Sequence, residues 1–235
     1  QECFLLAEHL EQWKTSIGVH TFSRAEKTNP LFDRIFKTMR ATDREGSSGE
    51  QAHFYASRDD LLHRVKLSEW NDFLQFIVAS LRDTAKVANQ GIWPAEEVDL
   101  QIGIQGIWFQ ISNSGVSHDV HTHGNCSWSG VYLVSVDEDD KRCKHPVYGR
   151  LNGATRFYSP LFERLGGAFM DFGNAYLQNS VIDFDPVPGR LIVFPSWLSH
   201  QAMAYEGSTD RVIVSFNASI HRKSNGDQVS PYSNT

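Results

Sequence analysis

Asp119 to Leu133 reads DVHTHGNCSWSGVYL, and how this stretch is interpreted decides the fold. Two histidines, His121 and His123, stand one residue apart ahead of an apolar run of strand character. Alternate residues of a strand face the same side, so the two imidazoles are expected to share one pocket. Further on, GRLIVFPSWLSH (residues 189–200) follows a Pro-Gly turn and ends its apolar strand on His200. Arg211 comes eleven residues later, in DRVIVSFN. Neutral imidazole is a good ligand for iron, zinc, copper or nickel, and a guanidinium forks onto a carboxylate through two parallel hydrogen bonds. The pattern therefore predicts a mononuclear metal site beside an anion pocket, and hence an enzyme. A histidine pair on a polar strand is often only structural. It is His200, a polar side chain closing an apolar strand, that favours a metal. Asp119, at i−2 from His121, offers an alternative to His123 as the middle ligand. His118 has the opposite parity and is expected at the surface or behind the ligands.

Working outward, the pattern after Pro94 is one of short strands. VDLQIGIQGIWFQIS (98–112), SGVYLVSV (129–136), GRLIVFPS (189–196) and RVIVSFNASI (211–220) are separated by glycine, proline, asparagine and aspartate. Several such strands in succession favour a jelly-roll barrel over a parallel sheet. Trp108, Gln110 and Ser112 share one face of the strand before the histidines, where cofactor-facing side chains are expected. Asn217 has the parity of Arg211 and is placed to meet substrate or water, and Trp197 is expected in the core or the pocket wall. Residues 137–185 read as a long insertion, a candidate lid, with Arg156, Tyr158 and Arg164 as substrate contacts.

Before Pro94 the pattern is helical. Asn29-Pro30 reads as a cap and first-turn pair, followed by Leu31, Phe32, Ile35, Phe36 and Met39 at helical spacing. Residues 41–57 are polar and read as a loop. From Ser68, an apolar stripe of Trp70, Phe73, Leu74, Ile77 and Leu81 runs towards a stop at Asn89-Gln90-Gly91. A stripe so rich in aromatics must pack on a sheet. The expectation is one domain over 1–235: a mainly helical part (1–95) buttressing a β barrel (96–220), then a mobile polar tail (221–235).

The formal net charge of −6 argues against a nucleic-acid partner, which normally meets a basic face. No apolar run reaches the length of about 18 residues expected of a membrane span. Three cysteines at irregular spacing fit a reducing, cytoplasmic compartment. A start at Gln1 leaves room for a removed upstream segment. Asn125-Cys126-Ser127 and Asn217-Ala218-Ser219 match the glycosylation acceptor pattern, but they fall within the site strands and are read as chance.

The succession H-x-H, SGVYL, PGRLIVFPSWLSH and R-x-x-x-S-F-N resembles the 2-oxoglutarate- and Fe(II)-dependent oxygenase superfamily over about residues 100–220. That resemblance implies a double-stranded β-helix, a cupin-like jelly roll with its site at the open end. It implies Fe(II) on His121, His123 and His200, and 2-oxoglutarate as cosubstrate with Arg211 on its C5 carboxylate. Ser129 would add a hydroxyl to that carboxylate and Gln110 would face the cofactor. Relatives often carry a tyrosine where Leu133 stands here. His123 takes the place of the usual carboxylate ligand, which leaves the site one charge more positive. The implied reaction consumes dioxygen, releases succinate and CO2, and by default hydroxylates a small polar metabolite. Two alternatives stand beside it. One is a cupin-type three-histidine metal dioxygenase without 2-oxoglutarate, which would have no need of Arg211. The other is a non-catalytic binding protein on the same scaffold.

Overall fold

Alternation in the last strand organises the molecule. In a computed structural model that describes residues 14–42, 53–94, 99–161, 172–177 and 179–223, the elements run β1 (Gly18–Thr21), α1 (Ala25–Thr42), β2 (Phe54–Ala56), α2 (Leu61–Arg64), α3 (Ser68–Ala88), β3 (Leu100–Ser112), β4 (Trp128–Ser135), α4 (Asp139–Arg142), β5 (Thr155–Tyr158), β6 (Val181–Phe184), β7 (Arg190–Pro195), β8 (His200–Ala202) and β9 (Arg211–Arg222). On β9, Val212, Val214, Phe216 and Ala218 are fully buried in one aromatic core with Phe32, Phe36, Trp70 and Phe73 of the helices. The intervening residues Arg211, Ile213, Ser215 and Asn217 face the other way, as period 2 requires.

β9 is central to a six-stranded antiparallel sheet of order β1-β7-β4-β9-β3-β2, and a three-stranded sheet β6-β5-β8 lies opposite. Phe157 from the small sheet packs with Ile192 and Phe194 from the large one, which closes the space between them. This is the double-stranded β-helix, mainly antiparallel β with a helical buttress. The helices cover the outer face of the large sheet: Phe36 stacks on Phe109 at 4.6 Å, and Phe73 lies 4.6 Å from Tyr132. α3 spans its expected range and ends at Ala88, capped by Asn89, whose side-chain amide donates to the Ala85 carbonyl at 2.7 Å.

Several expectations are corrected. α1 begins at Ala25, so Asn29 and Pro30 lie inside it rather than capping it. Asn29 is instead turned into the core, donating to the Val134 carbonyl (2.9 Å) and accepting from the Tyr132 hydroxyl (2.6 Å), which pins helix to sheet. The part before residue 95 also supplies two strands, β1 and β2, which form the two edges of the large sheet. β2 falls within the stretch read as a loop, of which 43–52 lie outside the described residues. Residues 137–185 are no insertion, because they contain β5 and β6 of the small sheet. Arg164 lies outside the described residues, as do 224–235 of the expected tail, while His221 and Arg222 continue β9. Among the described residues no helix is long and apolar enough to cross a membrane.

Candidate active site

Residues 115–123 form an irregular strip, not a regular strand, and β4 starts only at Trp128. The strip is tied along β8 and its flanks by backbone bonds: Gly115 N–H to Tyr205 O (2.8 Å), His118 N–H to Ala202 O (3.0 Å) and His123 N–H to Ser196 O (2.9 Å). His121 and His200 exchange both of their backbone hydrogen bonds, at 2.9 and 3.0 Å. This reciprocal pair, more than pleat alternation, sets the spacing of the two histidines. The expected convergence is present, with ring centroids 4.3 Å apart for His121 and His200 and 5.1 Å for both His121–His123 and His123–His200.

Each of the three offers a ring nitrogen within 4.8 Å of the others. The Nδ1 of His200 lies 2.9 Å from the Leu198 carbonyl, and the Nδ1 of His121 lies 2.7 Å from the Asp119 carbonyl. Those carbonyls can only accept, so each Nδ1 is the ring's donor and Nε2 is the atom left to face a metal. The Nε2 atoms of His123 and His200 are 3.3 Å apart. Two nitrogens each about 2.1 Å from one ion lie roughly 3 Å apart, so the donor set fits a divalent transition metal. Burial pushes the imidazolium pKa of both His123 and His200 down to about 4, helped by the neighbouring His121, and both stay neutral as ligands must. The carboxylate of exposed Asp119 is not part of this cluster. His118 is not a surface residue: its half-buried ring lies 4.4 Å from that of His121, and burial lowers its pKa. Phe194 and Phe157 pack on His200 at 4.6 and 5.7 Å, and Trp108 lies 6.2 Å from His123, giving the cluster an apolar wall.

Arg211 opens β9 on the inner face and is 4% exposed. Its Nε donates to the Gly153 carbonyl at 3.0 Å, and it has no carboxylate partner among the described residues. Burial lowers its pKa to about 10. The side chain lines a half-open cleft with Val131, Leu133, Thr155, Arg190 and Ile192. Leu133 brings no donor to this cleft. Thr155 brings a hydroxyl that the sequence reading missed, because its strand was hidden in the supposed insertion.

The remaining residues divide between the two ends of the barrel. Gln110 is opposite Ile213 on the inner face, one pleat from Arg211. Ser129 is opposite Asn217, six residues along β9 from Arg211, or about 20 Å at 3.3 Å per residue. The structure therefore does not bring Ser129 to the arginine. Its hydroxyl donates to Asn217 Oδ1 (2.8 Å) and meets Ser196 Oγ (2.9 Å), with Cys126 Sγ 3.0 Å beyond. Trp197 is 54% exposed rather than core. Arg156 forks onto Asp183 at 2.7 and 2.9 Å, and the Tyr158 hydroxyl bonds Gln201. Both alternate with the inward Phe157 and so lie on the outer face of the small sheet, away from the histidines.

Residues 106–217 match a protein family described as "Putative 2OG-Fe(II) oxygenase". No curated protein matches at the sequence level. Solved structures share the fold at low identity. A Pseudomonas putida prolyl-4-hydroxylase is 14% identical with a TM-score of 0.51, over 89% of this chain and 94% of that one. The non-heme alpha ketoglutarate dependent epimerase SnoN from nogalamycin biosynthesis is 12% identical with a TM-score of 0.54, over 91% and 81%. HygX from Streptomyces hygroscopicus, solved with nickel and 2-oxoglutarate bound, is 10% identical with a TM-score of 0.52, over 87% and 83%. Residues 106–217, which hold the three-histidine cluster on a double-stranded β-helix, are thus similar to the 2-oxoglutarate- and Fe(II)-dependent oxygenases.

Proposed function

We propose that this Fe(II)- and 2-oxoglutarate-dependent dioxygenase hydroxylates a small polar metabolite, with His121, His123 and His200 holding the metal and Arg211 holding the distal carboxylate of 2-oxoglutarate. The observation that carries the residue assignment is the pairing of three converging imidazoles with a buried arginine that has no carboxylate partner among the described residues. A buried guanidinium without an anion is costly, and a carboxylate ligand removes that cost. The bound iron and cosubstrate supply the oxidising chemistry, coupling decarboxylation to succinate with oxidation of a substrate C–H bond. The chain's own part is to fix three ligands through backbone-anchored imidazoles, to exclude water with Phe157, Phe194 and Trp108, and to orient the oxo acid through Arg211. Gln110 lies on the path between the cluster and Arg211. Ser129, Ser196 and Asn217 line the metal end of the barrel with hydroxyls and an amide, which supports a polar substrate rather than an apolar one.

The lack of a carboxylate in the cluster favours, as a second reading, a three-histidine dioxygenase that needs no 2-oxoglutarate. Anaerobic titration with Fe(II) and then 2-oxoglutarate separates the two. A visible absorption band that grows only with both present supports the proposal. Iron binding without such a band moves the second reading ahead, and no metal binding at all leaves a binding protein on a jelly-roll scaffold.

A further inference from the structure

The cleft that Arg211 lines contains a second guanidinium. Arg190 opens β7 with the inward parity of Ile192 and Phe194, and it borders the same space. β4 lies between β7 and β9, with Val131 opposite Ile192 on one side and Leu133 opposite Ile213 on the other. The Gly189 N–H donates to the Leu133 carbonyl at 2.8 Å, which sets Arg190 beside Leu133. Arg190 thus lies beside Leu133 on one side, while Arg211 lies on the other, two residues along β9 from Ile213, the residue opposite Leu133, with the two strands about 10 Å apart across β4.

The charge around them is unbalanced. Asp185 is the one acid bordering this cleft among the described residues, and its carboxylate is engaged by Arg150 at 3.0 Å. Arg190 gives one N–H to the backbone carbonyl of Asp185 (2.8 Å), which brings it no negative charge. Neither Arg190 nor Arg211 has a carboxylate within ion-pair distance among the described residues. Two like charges facing one half-closed space repel, and a single carboxylate between them relieves both. Thr155 adds a hydroxyl on the small-sheet side, and the rest of the wall is mostly apolar.

We infer that Arg190 is a second cation for the distal carboxylate of the 2-oxo acid, acting across Leu133 from Arg211 and making the cleft selective for oxo acids that carry two carboxylates. This rests on the reading of the Arg211 cleft as the cosubstrate site. Where a hydroxyl donor at position 133 would otherwise reach the carboxylate, the neighbouring strand supplies a charged one.

The test is anaerobic titration of the Fe(II)-loaded protein with 2-oxoglutarate and, separately, with pyruvate, which lacks the distal carboxylate. Binding is read from the visible spectrum and by calorimetry. Arg190→Gln keeps a donor for the Asp185 carbonyl and removes only the charge. It should weaken 2-oxoglutarate roughly 10- to 100-fold, the range for a lost charge-assisted hydrogen bond, and leave pyruvate within about twofold. Arg190→Lys should recover part of the loss. Unchanged 2-oxoglutarate affinity in Arg190→Gln overturns the inference, as does equal weakening of both acids, which marks a merely structural role. If Arg211→Ala also leaves 2-oxoglutarate affinity unchanged, the cleft is not the cosubstrate site, and it is the underlying reading that fails.

Discussion

Replacing Arg211 with methionine should make the ligand-free protein more stable and remove its response to cosubstrate. The side chain is 4% exposed, and burial lowers its pKa from the ordinary guanidinium range to about 10. At 1.36 kcal/mol per unit, that is roughly 3 kcal/mol set against the charged form in the folded state. Methionine fills much of the same space without the charge. The loss is the Nε bond to the Gly153 carbonyl, worth about 1 kcal/mol. The variant should therefore gain about 2 kcal/mol in the absence of ligand, which moves a urea midpoint upward by about 1 M at an m-value near 2 kcal/mol/M. With Fe(II) present and 2-oxoglutarate at a hundred times its Kd, anaerobically, the wild type should gain about 2.7 kcal/mol and the variant nothing, so the order of the two unfolding curves reverses. A pH series gives an independent check. The unfolded chain binds the proton more tightly than the fold, so wild-type stability should rise relative to the variant as pH climbs above about 10. A methionine variant less stable than the wild type without ligand would refute the reasoning, because it would mean the charge is already compensated.

Three further outcomes are expected. His200→Ala and His123→Ala should each abolish tight Fe(II) binding by calorimetry while Asp119→Ala retains it; near-native affinity in both His123→Ala and Asp119→Ala would remove both residues from the site. The metal-free protein should lose stability as pH falls from 6.5 towards 4. His123 and His200 stay neutral in the fold down to about 4 while their unfolded counterparts protonate from 6.5, so a flat urea midpoint over that window would contradict the assigned environments. Gly130→Ala should lower stability by about 1–3 kcal/mol, since a methyl there runs into the buried Phe216 ring; an unchanged melting temperature would show that Phe216 can move aside.

What could be read from the sequence followed the strength of each local pattern. The α3 stripe from Trp70 to Leu81 carried its own period and its own stop, and it was legible almost to the residue. The inward parity of Arg211 and the order of the histidines also survived, because alternation on β9 is regular. The short edge strands could not be seen. Gly18–Thr21 and Phe54–Ala56 have four and three residues and acquire strand character only from the partners Arg190–Val193 and Gln110–Ser112. Asn29 was misread because its local chemistry is that of a cap, whereas its bonds go to Tyr132 and Val134 more than a hundred residues away. Ser129 shares the parity of an inward residue but not the height of Arg211. Parity is local information, and height depends on strand register. Thr155 and Arg190 were missed for the same reason, since only the meeting of two sheets puts them in one cleft with Arg211.

The stretch that carries the family pattern, residues 106–217, holds the histidines and both arginines but neither border of the large sheet. β1 and β2, both from before residue 95, flank β7 and β3, and the rings of α1 and α3 roof over Val212, Val214 and Phe216. Cut free, that stretch would show water two open β edges and an oily face, the conditions under which chains stick to one another. What is recognisable as a unit of heredity is therefore smaller than the unit that can stand alone. A transplant of this chemistry into another protein would have to bring its hems and its roof along, or find them ready-made in the host.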